Sequence, residues 1–560
     1  MANVAGDEQA WTRGYLGWLL DRGVGWAYGF PPETCNYRAE PVRIPVSSGL
    51  SRIELAATFY APILSDGAEP HGTILVRSPY GRGLPISLMF GRKYASRGYQ
   101  VLFVSCRGTF GSGGEFDPGH DEVEDGKAVV EWMREQSWYT GTFATVGSSY
   151  LGFTQWALLT DPPKDMVAAI IIVGSHDMGR WVWQTGALNM EIITWGNMVA
   201  KQGEQNSVLK KWINKLAHRD PFNSVLESIP LVQAVKAALP GKVPWLETIM
   251  TTTDLRNPFY APRNLGTALE RTKIPILLIS GWHDIFLEQT MEQYFRLHER
   301  GCNVALTMGP WDHSGGGFTR LAPQQLLGWL ETYLAKKQEA VRPEPVYYFV
   351  TGAEEWHWAS VFPPPTDPYT LHLHSGNKLH REAPEPGTAL SDFLFDPANP
   401  TPTIGGDRLR GKAGSVDDTV LSTRSDVLTF TTEPLDTDVE FVGRATITFA
   451  HSTSSPYADI FVRISEVDAN GKSRNICEVY QRLDPERDME EPLTLGLRWC
   501  AHRFVVGKRI RLLVAGGSFP HYARNLGVAN PDNRGSEMKI VKHTILHGAA
   551  MGSTLILPKC

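Results

Sequence analysis

A serine hydroxyl becomes an effective nucleophile only when a base takes its proton and an acid orients that base. Three stretches of the chain offer those residue types: Gly147-Ser148-Ser149-Tyr150-Leu151-Gly152, Gly281-Trp282-His283-Asp284 and Gly309-Pro310-Trp311-Asp312-His313. In the first, a β-branched and aromatic run over 142–146 breaks at Gly147 and resumes as an apolar segment with helical spacing over 150–159. A strand that turns abruptly into a helix lifts one side chain clear of the sheet, and small residues must flank it. Ser149 has Gly147 two positions before it and Gly152 three after. Ser148 has Val146 and Tyr150 two positions either side, which is too bulky. Ser149 is therefore the candidate nucleophile, with the second glycine one residue later than in the usual G-x-S-x-G.

In a doubly wound sheet that carries such a serine, an acid and then a histidine follow in chain order, each just past a strand end. Asp284 and His313 occupy those places. His283 and Asp312 are rivals one residue away, because a one-residue slip in extended chain turns a side chain the other way. The chemistry would be acyl transfer through a tetrahedral oxyanion, which needs fixed donors. The backbone N–H of Tyr150, just after the nucleophile, is one by geometry. The loop Arg77-Ser78-Pro79-Tyr80-Gly81-Arg82 has no glycine run for a backbone donor, so the Tyr80 hydroxyl could serve instead. A packing role for the Tyr80 ring is the competing explanation.

The elements that must hold these residues follow from periodicity. Short β-branched runs at 43–48, 52–62, 72–81, 100–105, 142–146, 166–173, 274–280 and 303–308 alternate with helical patterns at 86–97, 121–136, 150–159, 289–300 and 324–337. The first two runs predict a hairpin around Gly49. The alternation beyond them predicts a mostly parallel sheet covered on both faces. Between 176 and 261 the alternation stops, and tryptophans (Trp181, Trp183, Trp195, Trp212, Trp245) accompany helical patterns, which predicts an inserted helical cap. The glycine-rich Cys106–Phe116 stretch lacks the Lys-Ser/Thr of a phosphate loop and is expected to be a shaped loop at a strand end. Trp11, Tyr15, Leu16, Trp18, Leu19 and Leu20 recur at helical spacing and predict an amphipathic arm packed on a later domain. Past Pro343 short alternating strands, beginning with Tyr347–Val350, predict an all-β sandwich of jelly-roll type.

The chain has 560 residues, too many for one core. A net charge of −6 argues against nucleic acid as the main partner. Six scattered cysteines without a C-x-x-C pair fit free thiols and a cytoplasmic setting. No apolar run reaches the length of a membrane span, the first residues lack a basic-then-apolar leader, and Cys560 lacks the arrangement for lipidation. No metal and no cofactor is expected. The expected partner is a small-molecule acyl substrate, with a homo-oligomer left open.

The ordered set RSPYGR (77–82), CRGTFGSGGEF (106–116), GSSYLG (147–152), GWHD (281–284), GPWDH (309–313) and SFPHYARN (518–525) resembles the CocE/NonD hydrolases, the cocaine-esterase-like relatives of X-Pro dipeptidyl-peptidases. The resemblance runs from about 43 to about 550. It implies an α/β-hydrolase catalytic domain over 1–175 and 262–340 with an N-terminal helical arm, a helical cap over 176–261, and a jelly roll over 341–560. It also implies Ser149 as nucleophile, Asp284 and His313 as its partners, Tyr80 as second oxyanion donor beside Tyr150, and no cofactor. Two positions depart from the family pattern: Ser105-Cys106, where relatives usually carry an Asp, and His283, where they often carry Tyr. Members cleave esters and amides, and the same acyl-enzyme could instead pass its acyl group to an alcohol or amine. A non-catalytic binding protein on the same scaffold is the alternative from another class. Members that act on amino-acid esters hold an ammonium with cap carboxylates. Here Asp177, Glu191 and Glu204 are interspersed with Arg180, Lys201, Lys210 and Lys211, with no clear acidic cluster. Trp181, Trp183 and Phe286 instead point to an apolar acyl pocket.

Overall fold

The computed structural model describes residues 9–48, 51–201, 222–315, 320–337, 342–385, 390–409, 411–547 and 552–560. Trp212, Glu204, Lys210 and Lys211 lie outside the described residues. An eleven-stranded sheet forms the first layer, in the order β1-β2-β3-β5-β4-β6-β7-β8-β9-β10-β11. Its strands are β1 (Trp11–Thr12), β2 (Asn36–Ser48), β3 (Ser51–Ile63), β4 (Thr73–Ser78), β5 (Gln100–Ser105), β6 (Phe143–Ser148), β7 (Met166–Ile172), β8 (Ile276–His283), β9 (Val304–Asp312), β10 (Val346–Val350) and β11 (Glu355–Ala359). β2 and β3 pair antiparallel, with Gly49 outside the described residues, and β3 joins β5 antiparallel. From β5 to β10 every pairing is parallel.

The central strands read as unbroken apolar runs because helices cover both faces. β4 and β5 are buried at every position, and so is β8. Trp156, Phe153, Leu278 and Leu306 fill one face; Ile74, Val101, Ile170 and Leu277 fill the other. The strand order reverses where β4 lies between β5 and β6. Open α/β sheets place their sites just beyond the carboxyl ends of the strands at such a reversal. Tyr80 follows β4 and Ser149 follows β6, so the topology brings those two residues together.

Between β7 and β8 the chain makes a layer of helices, α4 (Met178–Trp183), α5 (Glu191–Ala200), α6 (Leu231–Ala238) and α7 (Pro244–Thr251), after α1 (Tyr15–Ala27), α2 (Glu122–Arg134) and α3 (Tyr150–Leu159) earlier in the chain. α8 (Leu287–Glu299) and α9 (Leu321–Tyr333) follow β8 and β9. Among the described residues no helix is long and apolar enough to cross a membrane.

Among the described residues the C-terminal part folds into thirteen further strands around a separate core of Phe430, Phe441, Ile447, Phe449, Ile460, Val462 and Leu512. Strand Thr446–Thr453 shows the half-buried alternation expected of a sandwich. Its loop at 518–525 reaches the cap, where Met190 N–H donates to the His521 carbonyl at 2.8 Å. All six cysteines are free thiols.

Two expectations need correcting. Tyr347–Val350 is not a sandwich strand: it lies in β10, which pairs in parallel with β9 and antiparallel with its hairpin partner β11, so the catalytic sheet runs past residue 340. The short strand patterns on either side of 343 look alike in sequence, and only long-range pairing separates them. The N-terminal helix forms, but its apolar face is not the one that packs. Tyr15, Leu16, Leu19, Leu20 and Trp26 are exposed, while Asp21 and Gly25 face inward. Asp21 receives Arg13 at 3.2 Å, Arg92 at 2.9 Å and the Tyr37 hydroxyl at 2.7 Å, so an ion cluster anchors the helix.

Candidate active site

Ser149 sits at the junction of β6 and α3 with φ 59° and ψ −124°, a conformation that side-chain-bearing residues rarely adopt. The turn is tight enough that a Cβ on Gly147 would lie 2.4 Å from Leu151 Cβ, and one on Gly152 would lie 2.8 Å from Gly174 Cα. Both glycines are therefore required by close approach. Ser149 N–H donates to the Ile172 carbonyl at 2.9 Å, which pins the turn to β7.

The Ser149 Oγ lies 2.9 Å from His313 Nε2, and His313 Nδ1 lies 2.6 Å from Asp284 Oδ1. Asp284 is fully buried, and its other oxygen accepts a hydrogen bond from the Ser280 hydroxyl at 2.8 Å. The rivals stand elsewhere. Asp312 Oδ1 accepts the backbone N–H groups of Ser314 and Gly315, both at 2.9 Å, so this carboxylate caps the loop that carries His313. His283 is buried, pairs in register with Asp312 across β8 and β9, and does not line the site cavity. Burial pushes the His283 imidazole down to about 4, which keeps it neutral. Ser148 lines the cavity without a bond to His313 among the described contacts.

α3 begins at Tyr150, so its backbone N–H is one of the donors a helix start leaves unpaired. The Tyr150 side chain is tied back: its hydroxyl donates to Glu122 Oε1 at 2.9 Å and accepts Gly119 N–H at 2.9 Å. Arg77 pairs with the same glutamate at 2.5 Å. Cys106, one of the two departures from the family pattern, is buried beside that glutamate, with Sγ 3.8 Å from Oε2. Tyr80 approaches from the end of β4. Its oxygen accepts the Trp195 indole N–H at 3.1 Å. An indole nitrogen can only donate, so the phenol proton is left for another acceptor. Burial pushes the Tyr80 hydroxyl up to about 12, so it stays protonated.

These residues bound a cavity of about 470 Å³. Its apolar wall comprises Ile86, Val173, Met178, Trp181, Trp195, Met198, Ile285, Phe286 and Leu409. Phe286 stands edge-on to His313 at 5.3 Å and to Trp181 at 5.2 Å. Among the described lining residues, His313 is the only titratable side chain besides Tyr80 and Tyr150. Asp177 caps α4 by accepting Arg180 N–H at 2.9 Å, and Glu191 is buried 3.6 Å from Arg408, so neither carboxylate lines the cavity.

Trp183 is a correction. It does not line the cavity: its indole N–H donates to the Ile249 carbonyl at 2.9 Å, and its ring packs the cap interior. The helical turn of α4 aims Trp181 and Trp183 in different directions, a choice that composition cannot make. Sequence reasoning missed Trp195 as a partner of Tyr80, 115 positions away, and Leu409 from the far side of the chain.

Among the described residues one group has metal-ligand composition, Asp407, Glu478 and His521. Arg498 already pairs with Asp407, and Arg463 holds Glu478 at 2.5 Å. With both charges neutralised, the group is an ion-pair hub and gives a divalent cation no net attraction.

A parallel sheet with a serine on a strained strand-to-helix turn, and a histidine and acid beyond the next strands, defines the serine hydrolases of the α/β-hydrolase class. Residues 49–315 match the model of the family described as X-Pro dipeptidyl-peptidase (S15 family). Residues 339–556 match that of the X-Pro dipeptidyl-peptidase C-terminal non-catalytic domain. The chain is 24% identical over 573 residues to cocaine esterase of Rhodococcus sp., covering 93% of this chain and 99% of that one. Its fold is shared with an aminopeptidase from a marine sediment Thaumarchaeota archaeon at TM-score 0.80, 19% identity and coverage of 94% and 97%. It is also shared with an α-amino acid ester hydrolase at TM-score 0.78, 22% identity and coverage of 94% and 97%. The chain is a serine hydrolase whose two parts match the catalytic and C-terminal domains of the S15 X-Pro dipeptidyl-peptidases, and it is similar to the cocaine-esterase-like CocE/NonD hydrolases.

Proposed function

We propose that this hydrolase cleaves esters of a neutral, apolar acyl group through a covalent Ser149 acyl-enzyme. The observation that carries the mechanism is the continuous line of hydrogen bonds from Ser149 through His313 to Asp284. His313 Nε2 takes the Ser149 proton as Oγ attacks the ester carbonyl. Asp284 orients the ring and stabilises the imidazolium. The carbonyl oxygen, now negative, is met by the Tyr150 N–H and the Tyr80 hydroxyl. His313 then returns the proton to the departing alcohol. Water then attacks the acyl carbonyl while giving a proton to His313, the acyl bond to Ser149 Oγ breaks, and His313 returns that proton to Oγ as the acid leaves.

Substrate class follows from the cavity wall. Among the described lining residues an α-ammonium group would find no carboxylate and would be desolvated against aromatic and aliphatic side chains. A benzoyl-like or branched aliphatic acyl group would bury its surface against Trp181, Phe286 and Leu409. Of the names its relatives carry, esterase fits this wall better than α-amino acid ester hydrolase. The test is a panel of esters with a common alcohol. Neutral aromatic acyl groups should give the higher kcat/KM, and a preference for α-amino acyl esters would overturn the substrate class.

A further inference from the structure

The orienting acid, Asp284, is held from a direction that the strand-end pattern does not foresee. Its carboxylate is fixed by His313 and Ser280, but its backbone lies beyond β8, in a turn closed by Asp284 N–H to Gly281 O at 3.0 Å and Leu287 N–H to Asp284 O at 3.1 Å. The same Asp284 carbonyl accepts a second, charge-assisted bond from Arg498 Nη2 at 2.5 Å. Arg498 belongs to the sandwich, 214 positions later in the chain. Its other arm pairs with Asp407, which is itself buried. Its own N–H donates to the Glu478 carbonyl at 3.0 Å, tying it to strand Ser473–Arg482. Arg498 does not line the cavity that holds Ser149, so it cannot touch an acyl group there.

We propose that Arg498, braced by Asp407, is a positioning residue through which the C-terminal sandwich fixes the Asp284 turn and thereby the His313 ring. It rests on the acyl-enzyme mechanism above and deepens it. A planar guanidinium is suited to this task because its fork binds two partners in fixed directions, which a flexible ammonium does not. Hydrogen bonds to a charged donor are shorter and stronger than neutral ones. Without it, the Asp284 carbonyl keeps only the bond from Leu287, and Asp407 is left as a buried charge without its counter-ion. The expected consequence is a misplaced base. A displacement of about 1 Å at such a distance from the chemistry can cost on the order of 10²-fold in rate. Ground-state binding to the apolar wall does not depend on it.

The experiment uses the full chain with Arg498→Met, Arg498→Lys and Asp407→Asn. Each variant is measured for kcat and KM on an unactivated ester, for thermal unfolding, and for the low-field proton resonance of His313 Nδ1–H. Arg498→Met should lose on the order of 10² in kcat with KM unchanged, and should shift or broaden that resonance. Arg498→Lys should recover part of both, and Asp407→Asn should fall between Lys and wild type. If the Met variant fails to fold, the Lys and Asn variants decide on the same readouts. Folded variants with wild-type kcat and an unaltered resonance would overturn the proposal, as would a loss borne by KM alone. Fluorophosphonate labelling of the wild type keeps the two levels apart. An unlabelled wild type overturns the acyl-enzyme mechanism. A labelled wild type with fully active variants overturns only the role of Arg498.

Discussion

Replacing Tyr80 with Phe removes one oxygen from the cavity wall and leaves the ring. That oxygen accepts the Trp195 N–H at 3.1 Å, so its own proton is free to meet an oxyanion formed over Ser149. The site is desolvated, and a donor preorganised there is worth about 2.7–4 kcal/mol of transition-state stabilisation, or about 10²–10³ in kcat. KM should change little, because the bond forms fully only in the transition state. Trp195→Phe removes the indole donor that directs the hydroxyl. A net hydrogen bond is worth about 0.5–1.5 kcal/mol, so this change should cost about 2- to 13-fold in kcat. The two effects should not add: once Tyr80 is Phe, the indole has no oxygen to direct. The assay is steady-state turnover of an unactivated ester at saturation, for wild type, both single variants and the double variant. An activated aryl ester should suffer less, because its better leaving group eases the step that needs stabilising. Because burial holds the Tyr80 hydroxyl at about 12, no alkaline loss of kcat from its ionisation is expected below about pH 11. Full activity of the folded Tyr80→Phe protein would refute the donor role. A Trp195→Phe penalty just as large in the Tyr80→Phe background would refute the coupling.

Three further outcomes are expected. Asp284→Asn should lower kcat by about 10⁴ through the wrong imidazole tautomer, measured by single-turnover kinetics. Asp312→Ala should instead cost about 1 kcal/mol of stability, like a lost helix cap, with far less effect on kcat; the reverse ranking would exchange their roles. His283 binds a proton in the unfolded chain below its ordinary 6.5 but in the folded chain only below about 4, so stability should fall as pH drops through that window. His283→Gln should flatten this dependence of Tm on pH, and an unchanged slope would contradict the burial argument.

The elbow was legible because its demands are local: two glycines, a small turn and an apolar helix lie within a dozen residues. The order Ser149, Asp284, His313 was legible because each follows a strand whose apolar run announces it. The choice between neighbours was not. His283 and Asp284 share a strand end, and the β8–β9 register, the Ser280 bond and the His313 contact separate them. Trp195 and Arg498 left no local signal, since their partners lie 115 and 214 positions away. Periodicity revealed the helix at Tyr15–Ala27 but assigned the wrong face, because a buried Asp21 ion cluster outweighs the apolar stripe.

The central claim is that Ser149 is the nucleophile, and a fluorophosphonate probe tests it most directly. The probe reacts with a serine only where a base activates it and donors stabilise the adduct. After labelling and proteolysis, peptide mass spectrometry should place the adduct on Ser149. Labelling should vanish in Ser149→Ala and persist in Ser148→Ala. An adduct on Ser148, or undiminished labelling of Ser149→Ala, would contradict it.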